Sequence, residues 1–126
     1  MSLSDTFETT TLKWLLTADA VTRPTAWYIG LFTVAPSDAG GGTEVSGGSY
    51  ARKSVAFTVS GNLATNSAAV EFDVATADWG TITDIAVFDA VSGGNMIAYA
   101  TLTAAKTISN GDVLRVSAND LDITMD

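Results

Sequence analysis

Thr81-Ile-Thr-Asp-Ile-Ala-Val-Phe-Asp89, then Ala90-Val-Ser-Gly-Gly94, then Asn95-Met-Ile-Ala-Tyr-Ala-Thr-Leu-Thr103 reads as two strands around a glycine turn. Alternate side chains of a strand point to opposite faces. Ile82, Ala86 and Phe88 therefore share a face with Asp84, while Ile85 and Val87 share the other with Thr83 and Asp89. Both faces are partly apolar, as expected of central strands covered on both sides. Gly93-Gly94 supplies the positive φ angles of a tight reversal, so the stretch predicts a hairpin.

Shorter apolar runs flank this hairpin. Ala26-Trp-Tyr-Ile-Gly-Leu-Phe-Thr33 is bulky and strand-forming, and Gly30 in its middle predicts a bulge or a close backbone approach. Tyr50–Val59 alternates, with Ala51, Lys53, Val55, Phe57 and Val59 on one side, and Ser60-Gly-Asn62 is a turn signal. Ala68–Val74 is a further strand with Val70, Phe72 and Val74 facing one way. Lys106–Ser109 and Val113–Ser117 flank Asn110-Gly111, a strong hairpin signal. Leu121–Met125 closes the series with Leu121, Ile123 and Met125 on its apolar side.

Residues 1–17 form the only helical pattern. Asp5 followed by Glu8 resembles a capping box, and Leu3, Phe7, Trp14 and Leu15 fall on one stripe. Thr9-Thr10-Thr11 lowers the intrinsic helix propensity, so this helix depends on docking its Phe7/Trp14 face. About seven short strands without helical crossovers predict one mainly β domain over residues 1–126. The expected architecture is an antiparallel β-sandwich or jelly-roll-like fold with one N-terminal α-helix.

Val34–Ser49 is a long glycine-rich loop, and loops beyond roughly 12–15 residues are uncommon unless functional or mobile. It reads either as a floppy connection with Val45 tacked to the surface or as an arm ordered by a neighbour. Gly40, Gly41, Gly42, Glu44 and Val45 of this loop, with Phe7 and Trp14 of the helix, are the candidate protein-interface residues.

Composition narrows the chemistry. The chain is 47% apolar and 16% charged, which predicts a folded rather than a disordered protein. No apolar run approaches the roughly 18 residues of a membrane span, and no signal peptide is visible. The expectation is a soluble protein made in a cytoplasm, with no membrane partner. A net charge of −8 with scattered Lys and Arg argues against nucleic acid. The absence of cysteine and histidine excludes disulfides, thiolate zinc sites and catalysis by either residue.

Three side-chain groups invite a chemical reading, and each has a plainer one. Asp112, Asp120, Asp122 and Asp126 form an acidic C-terminal cluster suited to calcium, but no Asp-x-Asp-x-Asp-Gly loop accompanies them, and alternating acids also describe a solvent face. Glu71, Asp73, Asp78, Asp84 and Asp89 include possible glycosidase pairs, although acids on strands are usually surface groups. Trp27, Tyr28, Trp79 and Tyr99 suggest a sugar-stacking platform, against the rule that strand aromatics are mostly core. We therefore expect no enzyme, no cofactor and no metal.

Several blocks then acquire meaning together. They are Trp27-Tyr-Ile-Gly-Leu-Phe-Thr-Val-Ala-Pro-Ser-Asp38, Glu44-Val-Ser-Gly-Gly-Ser-Tyr-Ala-Arg52, Ala64–Phe72, Ala77-Asp-Trp-Gly-Thr81, Ile85–Ala90 with Ser92–Asn95, and Asn110-Gly-Asp112. In this order, behind an amphipathic helix, the chain resembles a small virion-protein family of tailed bacteriophages often labelled phage tail-fibre protein. The resemblance implies a non-enzymatic structural component of the virion, a homo-oligomer partnered by the major capsid protein or by tail proteins. Without shaft repeats or heptads, the first expectation is capsid decoration, as a cement protein. A tail or tail-fibre-associated role comes second, and a carbohydrate-binding module for host-surface recognition is the rival from another class.

Overall fold

The central hairpin is present and longer than its sequence pattern. In a computed structural model describing residues 1–125, β8 (Gly80–Phe88) pairs antiparallel with β9 (Met96–Ile108). Gly93 and Gly94 both take positive φ in the turn. β2 (Tyr28–Val34) lies on the other side of β8, from Tyr28 opposite Phe88 to Phe32 opposite Asp84. β1 (Ser2–Leu3), β3 (Thr43–Glu44) and β4 (Lys53–Ser54) complete a sheet of order β1-β9-β8-β2-β3, with β4 also on β2. Two smaller antiparallel sheets join β7 (Val70–Glu71) to β10 (Arg115–Val116), and β5 (Phe57–Ser60) and β11 (Asp122–Thr124) to β6 (Leu63–Asn66). Among the described residues the fold is mainly β with a single helix, as expected.

One face of the large sheet buries Ile29, Leu31, Ile82 and Ile85 against Val70, Phe72, Leu114 and Leu121 of the segments carrying the small sheets. Trp79 sits within this core, edge-on to Tyr50 and Phe72, and donates from Nε1 to the Gly48 carbonyl at 2.9 Å. The opposite face holds a smaller cluster of Phe32, Ala86, Phe88 and Met96. Strict alternation assigns Ile82 to that smaller face. A bulge corrects this: Ile82 pairs with Lys106 but Asp84 with Thr101, so Thr83 alone stands opposite Leu102–Ala105. The irregularity swaps the face of Ile82 and brings it beside Ile85.

Three other expectations change because strand partners are chosen across the chain. The Tyr50–Val59 run breaks after Ser54: β4 joins β2, β5 joins β6, and Val59 is left exposed. Only Val70–Glu71 of the Ala68–Val74 run is strand; Phe72 is buried as expected, but Val74 is exposed. Asn110-Gly111 is a turn but not the expected hairpin. Lys106–Ile108 continue β9, while Arg115–Val116 pair with Val70–Glu71. The turn is bound to a third segment, with Asn110 N donating to Asp78 Oδ1 and Gly111 N to the Ala75 carbonyl, and this routes the chain into the other layer.

The helix α1 spans Asp5–Leu16 rather than residues 1–17, since Ser2–Leu3 is strand, and it starts at the residue expected to cap it. Ser4, not Asp5, is the N-cap; its Oγ accepts from Phe7 N and donates to the Met96 carbonyl at 2.6 Å. Asp5 and Glu8 lie in the first turn, at the positive end of the dipole. Thr10 and Thr11 donate their hydroxyls back to the Thr6 and Phe7 carbonyls, which satisfies the threonine run inside the helix.

Candidate protein interface

The N-terminal end of α1 is fixed to the domain and its C-terminal end is not. Ser4 N donates to the Ile97 carbonyl and Asp5 N to the Asp38 carbonyl, while β1 pairs with Ala98 and Tyr99 of β9. Beyond that anchor no helical residue is buried. Leu12, Trp14, Leu15 and Leu16 keep 57, 67, 59 and 76% of their surface exposed. The docking that the Phe7/Trp14 stripe calls for is therefore supplied in part at Phe7 and not at Trp14 and Leu15. Phe7 is half-buried, and it lines with Trp14, Val21 and Pro24 an open groove of about 460 Å³. A contiguous exposed apolar surface rimmed by polar residues is the signature of a contact site.

The long loop behaves differently from both readings of it. Val45 is 6% exposed, packs in the main core and donates its N–H to the Leu31 carbonyl. Glu44 belongs to β3, opposite Phe32. The glycines form the turn leading into this strand, after a bridge between Ser37 and Gly40. Gly40 and Gly41 have open space where a Cβ would stand, but at Gly42 it would meet the Val34 carbonyl oxygen at 2.6 Å and Pro36 N at 2.7 Å. Of the candidate interface residues, Phe7 and Trp14 thus gather on α1, Gly40, Gly41 and Gly42 on a separate turn, and Glu44 and Val45 inside the fold.

Glu44 is the anion of a clamp that sequence reasoning missed. Arg52 Nη2 and Nε grip its two carboxylate oxygens at 2.8 Å each, and Tyr50 Oη donates to Oε2 at 2.7 Å. Burial alone raises the Glu44 pKa, but the hydrogen bonds from Arg52 and Tyr50 and the Arg52 charge outweigh it and leave it lowered. Burial, then the bond to Glu44, push the Tyr50 phenol up. Arg52 Nη1 reaches the Ala90 and Gly93 carbonyls at 2.9 and 2.8 Å, which ties the central turn to the loop. Gly30 is the close approach that its position predicts: a Cβ there would lie 2.9 Å from Glu44 Oε2 and 3.0 Å from the Phe88 ring.

A family model described as podophage GP4 fiber I protein gp80 matches residues 2–124. The chain belongs to this phage fibre protein family. No curated protein matches it. The fibre family makes the chain a virion component, in line with the resemblance read from sequence, and backs the tail-fibre expectation over capsid decoration.

The remaining candidate residues of this fibre-family chain do not converge. Trp79 is in the main core, Trp27 is packed against that core, and Tyr99 belongs to the opposite cluster, so no shared stacking platform forms. Asp84 is buried and accepts from Thr83 and Thr101; Asp89 accepts from Asn95, Asp78 from Asn110, and Asp73 pairs with Lys53. Asp112 Oδ2 accepts from Ser109 N. Among the described residues no three acidic groups cluster as a metal site, and Asp126 lies outside them.

Proposed function

We propose that this protein is a non-enzymatic structural component of the tail-fibre apparatus, self-associating and joined to other virion proteins through α1. The observation that carries the reading is the fibre-family match across residues 2–124. The exposed end of α1 supports it, because a rigid domain that presents apolar side chains on an anchored helix is built for protein contact. The engagement of Asp73, Asp78, Asp84, Asp89 and Asp112 in ordinary structural bonds supports a role without catalysis. A small domain lacking repeats or heptads suits a joint or tip better than the long shaft of a fibre.

Gold-labelled antibody against the chain, applied to intact particles, tests the location. Label on the fibres or their attachment points is the expected result. Label spread over the shell overturns it in favour of capsid decoration.

A further inference from the structure

We propose that the polar side of α1, the segment of residues 20–25 and the central turn together bind an anionic saccharide, a sugar carrying a carboxylate or a phosphate. The pocket adjoins the Phe7–Trp14 groove but opens on the side of the helix away from Leu12, Leu15 and Leu16. Its ligand is independent of the protein's place in the particle.

Three elements meet around a pocket of about 430 Å³: α1 through Thr6 and Lys13, residues 20–25, and Asp89 with Asn95 flanking the central turn. At about 100° per residue, Thr6, Thr10 and Lys13 fall within about 60° of one another and about 140–180° from Leu15. The segment is held by its apolar residues: Val21 and Pro24 are half-buried, while Thr22, Arg23 and Thr25 are exposed. Pro24 fixes its own φ and confines Arg23 to an extended backbone, so the guanidinium is presented from a stiff stretch.

Charge selects an anion. The chain has six cations and fourteen acids, yet the lining of this pocket holds two cations and one acid. Among the described residues the two ion pairs use Arg52 and Lys53, which leaves Lys13 and Arg23 unpaired. Asp89, the acid, already accepts from Asn95 N at 2.7 Å and from Asn95 Nδ2 at 3.1 Å. A carboxylate or phosphate held by Lys13 and Arg23 gains charge-assisted hydrogen bonds, and the planar arginine fork matches either anion.

The remaining groups call for more than a bare anion. Thr10 spends its hydroxyl on the Thr6 carbonyl. Among the described residues, Thr6, Thr22 and Thr25 keep their hydroxyls, and Asn95 its Oδ1, outside the internal hydrogen bonds. A hydroxyl donates and accepts, while an amide oxygen only accepts. Sugar hydroxyls satisfy both, whereas a bare carboxylate has no hydrogen to give Asn95. Phe7 and Pro24 add an apolar wall for the carbon face of a sugar ring. The volume is within the usual range of small-molecule sites and exceeds what one inorganic anion fills.

Calorimetric titration of the purified full chain at low salt, with glucuronate, glucose phosphate, glucose and inorganic phosphate, tests the proposal. A charged sugar should bind, and its affinity should fall about tenfold in Lys13→Ala and in Arg23→Ala, since each removes a charge-assisted hydrogen bond. Glucose and inorganic phosphate should each bind at least about tenfold more weakly than that sugar. Arg115→Ala, on β10, leaves the affinity unchanged. Amide shifts of the wild type on adding glucuronate or glucose phosphate should centre on Thr6, Arg23 and Asn95, a readout that does not depend on any variant folding. No binding of either charged sugar, equal binding of glucose, or an affinity unmoved by both Lys13→Ala and Arg23→Ala overturns the proposal. So do shifts centred elsewhere, and equal binding of inorganic phosphate, which marks an adventitious ion only. Tighter binding of a tri-aspartate peptide than of either charged sugar overturns it in favour of a protein partner. Each of these results leaves the tail-fibre location standing, since that is read on the particle.

Discussion

The Arg52 guanidinium carbon lies 3.5 Å above the centre of the Phe88 ring while its Nε and Nη2 hold Glu44. One side chain thus joins the loop strand β3, the central strand β8 and the turn at Ala90–Gly93. The geometry suits arginine alone, because a lysine ammonium lacks both the planar fork and the stacking face. With its side chain 8% exposed, Arg52 is also the most deeply buried cation of the two ion pairs found among the described residues.

Arg52→Ala removes the partner of a mostly buried carboxylate and strands the carbonyls of Ala90 and Gly93. Breaking a buried pair in this way costs about 3–5 kcal/mol. A urea titration should show a lowered midpoint of that size, and Arg52→Lys should recover only part of it.

The clamp gives stability a defined acid dependence. Glu44 has a folded-state pKa below its ordinary 4.5, so its stabilisation is complete above 4.5 and is lost as pH falls through the lower folded value. Glu44→Gln should remove that component. The stability difference between wild type and variant, followed by thermal denaturation, should shrink as pH falls below 4.5.

Asn66 is fully buried and binds both strand ends around it. Its Nδ2 donates to the Ala68 and Ser117 carbonyls at 3.0 and 2.9 Å, and its Oδ1 accepts from Leu121 N at 2.9 Å. Asn66→Leu leaves the buried Leu121 N–H without a partner, at about 1–3 kcal/mol, and also removes the bonds to the carbonyls of Ala68 and Ser117, which are exposed residues. The loss should appear as faster amide exchange at Leu121 as well as a lower melting temperature.

Gly41 and Gly42 separate backbone strain from crowding. Both have positive φ, but only at Gly42 would an added methyl stand less than 3.0 Å from backbone atoms, those of Val34, Ala35 and Pro36. Gly41→Ala should cost about 1–2 kcal/mol for the left-handed conformation alone. Gly42→Ala should cost more, because Val34 and Pro36 have to move. Paired urea titrations of the two variants measure the difference.

Much of the fold is legible in local pattern. The central hairpin follows from alternation and Gly93-Gly94, the second small hairpin from Ser60-Gly-Asn62, and the buried strand from Trp27–Phe32. What local pattern cannot carry is the choice of partner. Asn110-Gly111 looks like a hairpin because its flanks alternate, yet Asp78 and Ala75 capture the turn from more than thirty residues away. Val55 and Val59 read as one face, but their strand divides between two sheets. Ile82 changes face through a bulge that nothing in its own strand signals.

The interface is half legible. Phe7 and Trp14 stand out because an apolar helical stripe needs a surface, and the helix does lack one here. Glu44 and Val45 are harder to place, because a glycine-rich loop looks solvent-facing while the Glu44–Arg52 pair and the core draw it inwards. Arg52 carries one signal in the sequence: an arginine eight residues from Glu44, beside the aromatic Tyr50, in a chain with few cations.

Cryo-electron microscopy of the parent particle tests the central claim most directly. The account predicts density matching the six-strand sheet and α1 at the tail fibres, with the exposed end of α1 against a neighbouring protein. Density of this shape repeated across the icosahedral shell and missing from the tail contradicts it.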